Sequence, residues 1–351
     1  MTQTRLKLLF AFNEFVRNHY LPPEQLTRLE EFADWDWFSC HGGGIYDTND
    51  DPDAAEALRQ KVSDMDGLVI CHGAPTITKS ILDAAPKLRF IGEMESDRFA
   101  RRIDLETAWE RGIRTVDTTN GSSYPVAEWA LGLILVATRN AGTHFRRLIS
   151  GETKANYDIT RSSPGMLAGK RVGLIGGGHM GRHLIKLLRP FEVEVWVHDP
   201  YLPRELAEAV GFVQTSLDNL FAQCDVVVCL APQTPRTEKM VGAKQFELMR
   251  PRTIYVSVSR GIVTDSAALI ARLEKGDIYV ALDVFDPEPI PPESPILQLP
   301  NVFLSPHIGW YNGQQHPFFF QLMVDELERF VQGHETHFDL TPRSLANRKG
   351  S

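Results

Sequence analysis

The stretch RVGLIGGGHMGRHLIKLL, residues 171–188, decides how this chain folds. Its opening residues form a short apolar run of the kind a buried strand carries. From His179 onward the apolar residues recur at helical spacing. Between the two, Gly176-x-Gly178-x-x-Gly181 puts glycine where a strand must turn tightly into a helix, where backbone must approach a pyrophosphate, and where the helix must pack on the strand. The helix amino terminus then offers N–H groups and a partial positive charge to the anion. The next strand, VEVWVH (193–198), ends at Asp199, 23 residues after Gly176, where an acid accepts hydrogen bonds from an adenosine ribose. Strand, loop, helix, strand and acid in that order read as a dinucleotide site. An acid there repels a 2′-phosphate, so NAD is expected in preference to NADP. The plainer alternative is that Asp199 merely caps the turn before Pro200.

Working outward, further short apolar runs follow the loop: DVVVCL (225–230), TIYVSV (253–258), YVALDVF (279–285) and NVFLSP (301–306). With the first two strands they make a six-strand, doubly wound pattern of parallel strands covered by helices. A similar alternation precedes it. KLLFAF (7–12), GLVICH (67–72), LRFIG (88–92) and RTVDT (114–118) are strands, separated by amphipathic segments at 22–33, 78–85 and 104–112. The expected class is therefore α/β with two doubly wound parallel-sheet domains. PVAEWALGLILVATRN (125–140) reads as one long helix, apolar around most of its circumference, as at a domain boundary or a subunit contact. PFFFQLMVDELERFVQG (317–333) is a last helix that comes after the second series is complete and so is expected to return to the first domain.

At 351 residues the chain exceeds what one core usually supports, in keeping with two domains. A formal charge of −8 argues against nucleic acid and anionic membranes as partners. Four cysteines without a C-x-x-C pair suggest free thiols in a reducing cytoplasm. The apolar run LLFAF (8–12) is too short for a signal peptide core, and no stretch is long enough to cross a membrane.

In a doubly wound sheet ligands sit at the carboxyl ends of the strands. Three ionisable features fall there: Arg260 in SVSRG, the acids Asp283, Asp286 and Glu288 in LDVFDPEP, and His307 in LSPHIGW. Arginine offers a charged fork that grips a carboxylate twice. Histidine titrates near neutrality and can move the proton of a hydroxyl, while a carboxylate beside it fixes one ring nitrogen. That set suits hydride transfer between a 2-hydroxy acid and NAD. Taken singly, Arg260 could be an ordinary ion-pair residue and His307 a loop histidine. A metal cluster of the acids with His307 is not expected, because paired ligand spacing is missing.

These motifs together resemble the D-isomer-specific 2-hydroxyacid dehydrogenases, the family of D-glycerate, D-lactate and phosphoglycerate dehydrogenases. The resemblance runs from Leu68 to Gly333, through SYPVAEWALGLILVATRN, GGGHMG, LAPQTPRTEKMVG, SVSRGIVTDSAALIARLEKGDIYVALDVFDPEP and NVFLSPHIG. It implies a Rossmann NAD-binding domain (121–309) inserted into a flavodoxin-like substrate domain (1–120 plus 310–351). It implies Arg260 on the substrate carboxylate, His307 as acid/base and Glu288 as its partner. Gly176, Gly178, His179, Met180 and Gly181 are implied at the pyrophosphate and Asp199 at the ribose. Val258, Ser259, Arg260, Asp283, His307 and Gly309 are implied along the nicotinamide, and the loop His72-Gly73-Ala74 on the substrate. It further implies a small carboxylate substrate and a homodimer formed through the 125–140 helix. Glu288 stands where formate dehydrogenases of the family carry glutamine. Phosphite oxidation on the same residues, and a non-catalytic NADH-responsive scaffold like the C-terminal binding protein corepressors, are the competing readings. The segment GEMESDRFARRID (92–104) is longer and more charged than the family pattern, and Trp310 stands where many members carry a small residue.

Overall fold

The computed structural model describes residues 5–45, 47–96, 100–311, 313 and 316–350. The chain divides into two compact units, Met1–Gly121 with Asn312–Ser351, and Ser122–Tyr311.

The first unit is built on five parallel strands: β1 (Leu6–Asn13), β2 (Ala33–Cys40), β3 (Gly67–Ile70), β4 (Phe90–Glu93) and β5 (Arg114–Asp117), in the order β2-β1-β3-β4-β5. That is the flavodoxin-like order. Side chains alternate across a strand, so β1 feeds two cores. Leu9 and Ala11 join Leu68, Ile70 and Ile91 on one face. Leu8, Phe10 and Phe12 join Val69 and Phe90 on the other, where the helix Pro317–Val331 lays down Phe319, Phe320, Met323, Val324 and Leu327. This helix thus belongs to the first sheet, as expected, but it is not the last: a further helix, Pro342–Lys349, follows it and buries Leu345 in the core with Leu9 and Ala11. β2 was not expected from the sequence. It is an edge strand in which Asp34 and Asp36 alternate with half-buried Trp35 and Trp37, so no continuous apolar run announces it.

The second unit carries seven parallel strands: β6 (Arg171–Ile175), β7 (Glu194–His198), β8 (Val213–Gln214), β9 (Val226–Cys229), β10 (Ile254–Ser257), β11 (Tyr279–Leu282) and β12 (Val302–Leu304). Their order, β12-β11-β10-β9-β6-β7-β8, reverses between β6 and β9, which opens the crevice where this architecture receives dinucleotides. The hydrophobic pattern predicts six strands here. The seventh, β8, is two exposed residues at the sheet edge and has no hydrophobic signature. The long helix spans Ser123–Thr138, slightly earlier than expected. Val126, Ala127, Ala130, Leu133, Ile134 and Ala137 are buried in one core with Val172, Val226 and Ile254, so much of its apolar surface covers the sheet. Among the described residues no helix is long and apolar enough to cross a membrane.

Candidate active site

The glycine loop leaves β6 at Gly176, whose φ of +103° few other residues would tolerate, and the helix His179–Leu188 begins directly after Gly178. A Cβ on Gly181 would lie 2.5 Å from the Gly176 carbonyl oxygen, so helix and strand meet at a distance only glycine allows. A Cβ on Gly178 would meet nothing within 4 Å, leaving that face of the loop open to approach. Met180 is buried in the core beneath. Asp199 closes the turn from both sides. Its Oδ2 accepts from Gly177 N–H at 3.0 Å and its Oδ1 from Tyr201 N–H at 3.0 Å. The acid is therefore fixed against the loop, as a ribose-binding carboxylate must be. A phosphate-cradling loop, an open glycine face and a fixed acid fit the diphosphate and ribose of a dinucleotide.

Arg260, Glu288 and His307 sit on loops from three adjacent strands. The register pairs Ser257 of β10 with Leu282 of β11, and Leu282 with Leu304 of β12. Arg260 comes three residues beyond its strand's last paired position and His307 three beyond its own, with the Asp283–Glu288 loop between them. Neighbouring strands lie about 4.8 Å apart, so the outer two loops start roughly 10 Å from one another. The Arg260 backbone is extended, and its Nη1 donates to the Ser259 carbonyl at 2.7 Å. Gly261 lets the chain pass at van der Waals contact beneath the next loop, since a Cβ there would overlap the Phe285 carbonyl oxygen at 1.6 Å.

His307 has φ +54°, a conformation that a residue with a side chain adopts at a cost of order 1 kcal/mol or more. Its N–H donates to the Ser305 carbonyl at 3.0 Å, and its own carbonyl accepts the Trp310 indole N–H at 2.8 Å. Trp310 is thus a clamp on the His307 backbone, a role its sequence position did not reveal. Nδ1 of His307 lies 2.6 Å from Glu288 Oε1, with 32% and 36% of the two side chains exposed. An ionised carboxylate can only accept, so Nδ1 carries the proton and Nε2 is the nitrogen left for chemistry.

Asp283 is buried and accepts four hydrogen bonds. Oδ1 takes Trp129 Nε1–H, Ser305 Oγ–H and Ile308 N–H, and Oδ2 takes Gly309 N–H at 2.9 Å. It shapes the loop that presents His307. Asp286 is exposed. Val258 and Ser259 are buried, with Ser259 Oγ 3.3 Å from Cys229 Sγ. Trp129 and Ser305 were not singled out in the sequence, and neither spacing nor motif marks them.

In the first unit His72, Gly73 and Ala74 follow β3 and are buried; the Ala74 N–H turns back onto the Cys71 carbonyl at 3.1 Å. Of the charged segment 92–104, Asp97, Arg98 and Phe99 lie outside the described residues. Two of its acids are deeply placed. Glu93 pairs with buried Arg102 at 2.6 Å, and Arg102 also binds the carbonyls of Gly44, Ile45, Asp47 and Glu95. Glu95 accepts the Tyr20 hydroxyl and lies 3.2 Å from His72 Nε2.

Residues 131–309 match the family model described as D-isomer specific 2-hydroxyacid dehydrogenase, NAD binding domain. D-3-phosphoglycerate dehydrogenase of Methanocaldococcus jannaschii is 33% identical over 79% of this chain and 52% of its own length. The chain spans about half the length of the phosphoglycerate dehydrogenases it matches. Glyoxylate reductase of Thermococcus litoralis is 31% identical over 79% of this chain and 83% of the relative. Among solved structures, an NADPH-dependent glyoxylate/hydroxypyruvate reductase from Sinorhizobium meliloti, in complex with NADP and malonate, superposes with a TM-score of 0.64. It is 26% identical and covers 97% of this chain and 98% of its own.

Proposed function

Because the chain belongs to the D-isomer-specific 2-hydroxyacid dehydrogenases, we propose that it interconverts a small D-2-hydroxy acid and its 2-oxo acid with a nicotinamide cofactor. The observation that carries this reading is the 2.6 Å contact between His307 Nδ1 and Glu288 Oε1 on the loop beside Arg260. Nicotinamide, when bound, supplies or accepts the hydride at C2. In the reducing direction Arg260 grips the substrate carboxylate and protonated His307 gives its Nε2 proton to the carbonyl oxygen. Glu288 stabilises the positive ring and holds its orientation. In the oxidising direction neutral His307 takes the hydroxyl proton. Glu288→Gln keeps the size and removes the charge. It should lower kcat about 100-fold while NADH still binds; full activity by steady-state kinetics would argue against proton-coupled hydride transfer.

We assign the cofactor as NAD. Support comes from Asp199, whose carboxylate is fixed at the loop where a 2′-phosphate would have to sit. Asp199→Ala should shift the ratio of kcat/KM for NADPH over NADH upward by at least about tenfold. No shift would remove Asp199 from cofactor choice.

We also propose a homodimer, with its contact centred on the helix Ala141–Ile149 rather than on the largely covered helix before it. Phe145, Leu148 and Ile149 stand out from it at 63%, 55% and 70% exposure, an apolar patch a lone chain would rarely leave in water. Light scattering should return twice the 39.5 kDa of one chain, and Phe145→Glu with Ile149→Glu should halve it. A wild-type mass of one chain contradicts the dimer. All four cysteines are free and buried, in keeping with a reducing compartment such as the cytoplasm. Burial pushes the Cys40 and Cys224 thiols up to about 12, so both stay protonated and unreactive at neutral pH.

A further inference from the structure

Two side chains that hydride transfer leaves unused, those of Tyr201 and Arg236, meet in the second unit: Arg236 Nη1–H donates to the Tyr201 hydroxyl at 3.3 Å. The topology gives that contact its place. β7 and β9 lie on either side of β6, and Ile175, the last residue of β6, is level with His198 of β7 and Cys229 of β9. Tyr201 follows His198 closely and Arg236 lies further along the loop after Cys229, so the two loops start roughly 10 Å apart with the Gly176 turn between them. They also lead to opposite faces of the sheet. The helix Arg204–Val210 buries Ala207 in the core that holds Met180 and Leu184 of the helix after the glycine loop. The helix Ala243–Leu248 buries Phe246 in the core on the other face. A side chain from one loop that meets a side chain from the other therefore crosses the dinucleotide crevice, beyond the carboxyl end of β6.

The backbone is anchored at both ends of this contact. Asp199 Oδ1 accepts from the Tyr201 N–H at 3.0 Å, and Gln214 Nε2 donates to the carbonyls of Asp199 and Leu202. Arg236 sits in a turn tied by the Thr237 hydroxyl, whose oxygen accepts from the Thr234 N–H at 2.8 Å and whose proton goes to the Pro232 carbonyl at 2.6 Å. The loops are held, while the two long side chains are exposed and can swing apart. Their chemistry suits what the crevice receives. A guanidinium is matched to a diphosphate, and here its partner is a neutral hydroxyl, so its charge is left for an anion. The Tyr201 ring, 47% exposed beside the acid expected at the ribose, offers a face on which a base can stack.

We propose that the Tyr201–Arg236 contact is a latch over the adenosine diphosphate half of the cofactor. It parts to admit the dinucleotide, re-forms across it, and sets how long the cofactor stays. This rests on the proposed nicotinamide cofactor, and every residue it uses lies within the one unit Ser122–Tyr311.

The test is the rate at which NADH leaves the protein, read by stopped-flow fluorescence when the loaded protein is mixed with excess ADP. Tyr201→Phe keeps the ring and removes the hydroxyl; Arg236→Ala removes the donor. Each should raise the NADH off rate about tenfold. The double variant should leave no faster than Arg236→Ala alone, because the bond is already lost there. By calorimetry Arg236→Ala should also weaken ADP, which has no nicotinamide, about tenfold. An off rate unchanged in either single variant, effects that add in the double variant, or an unchanged ADP affinity overturns the latch, while binding of NADH by the wild type leaves the cofactor assignment standing. Wild-type protein that binds neither NADH nor ADP overturns that assignment and the latch together.

Discussion

His307→Ala should lower turnover about 1000-fold, within the range that general acid–base groups supply, while NADH binding measured by fluorescence titration persists. The loss should fall on kcat, because the proton moves only as C2 changes hybridisation. Alanine also removes a residue from a left-handed backbone position that it tolerates less well than histidine. His307→Asn separates the two effects, since asparagine accepts that conformation but cannot carry the proton. If proton transfer is what His307 supplies, Asn should be as slow as Ala. Near-normal turnover in the asparagine variant would show that the backbone geometry, held by Ser305 and Trp310, matters and the imidazole does not.

Gly261→Ala should destabilise the protein by about 3 kcal/mol or more and lower activity by a larger factor than any surface change. The added methyl would lie 1.6 Å from the Phe285 carbonyl oxygen and 2.6 Å from the Asp286 nitrogen. Both are backbone atoms, so no side chain can turn aside. The only relief is to push the two backbone segments away from each other, one leading from Arg260 and the other leading to Glu288. Thermal unfolding with steady-state kinetics would check this, and a wild-type midpoint with wild-type turnover would mean that the close approach does not position the site.

How much of this was legible beforehand depends on the range of the contacts. The glycine loop and Asp199 are local, within one strand–helix–strand unit, and their spacing alone located them. Arg260, Glu288 and His307 could be read because parallel strands align their carboxyl ends, so residues far apart in sequence share one edge. β2 carries an alternation that could have been read, but its aspartates hid it among polar segments. β8 offers two exposed residues and no pattern. Trp129 reaches Asp283 across 154 residues and Tyr20 reaches Glu95 across 75, and nothing in either neighbourhood points to the other. Trp310 was legible as a departure, yet its grip on the His307 carbonyl depends on a loop conformation that no motif encodes.

The most direct test is to incubate the purified chain with NADH and small 2-oxo acids, following NADH loss and resolving the product by chiral chromatography. The prediction is one hydroxy acid of D configuration for each NADH consumed. Binding of NADH without consumption across the whole series, or formation of the L isomer, would contradict it.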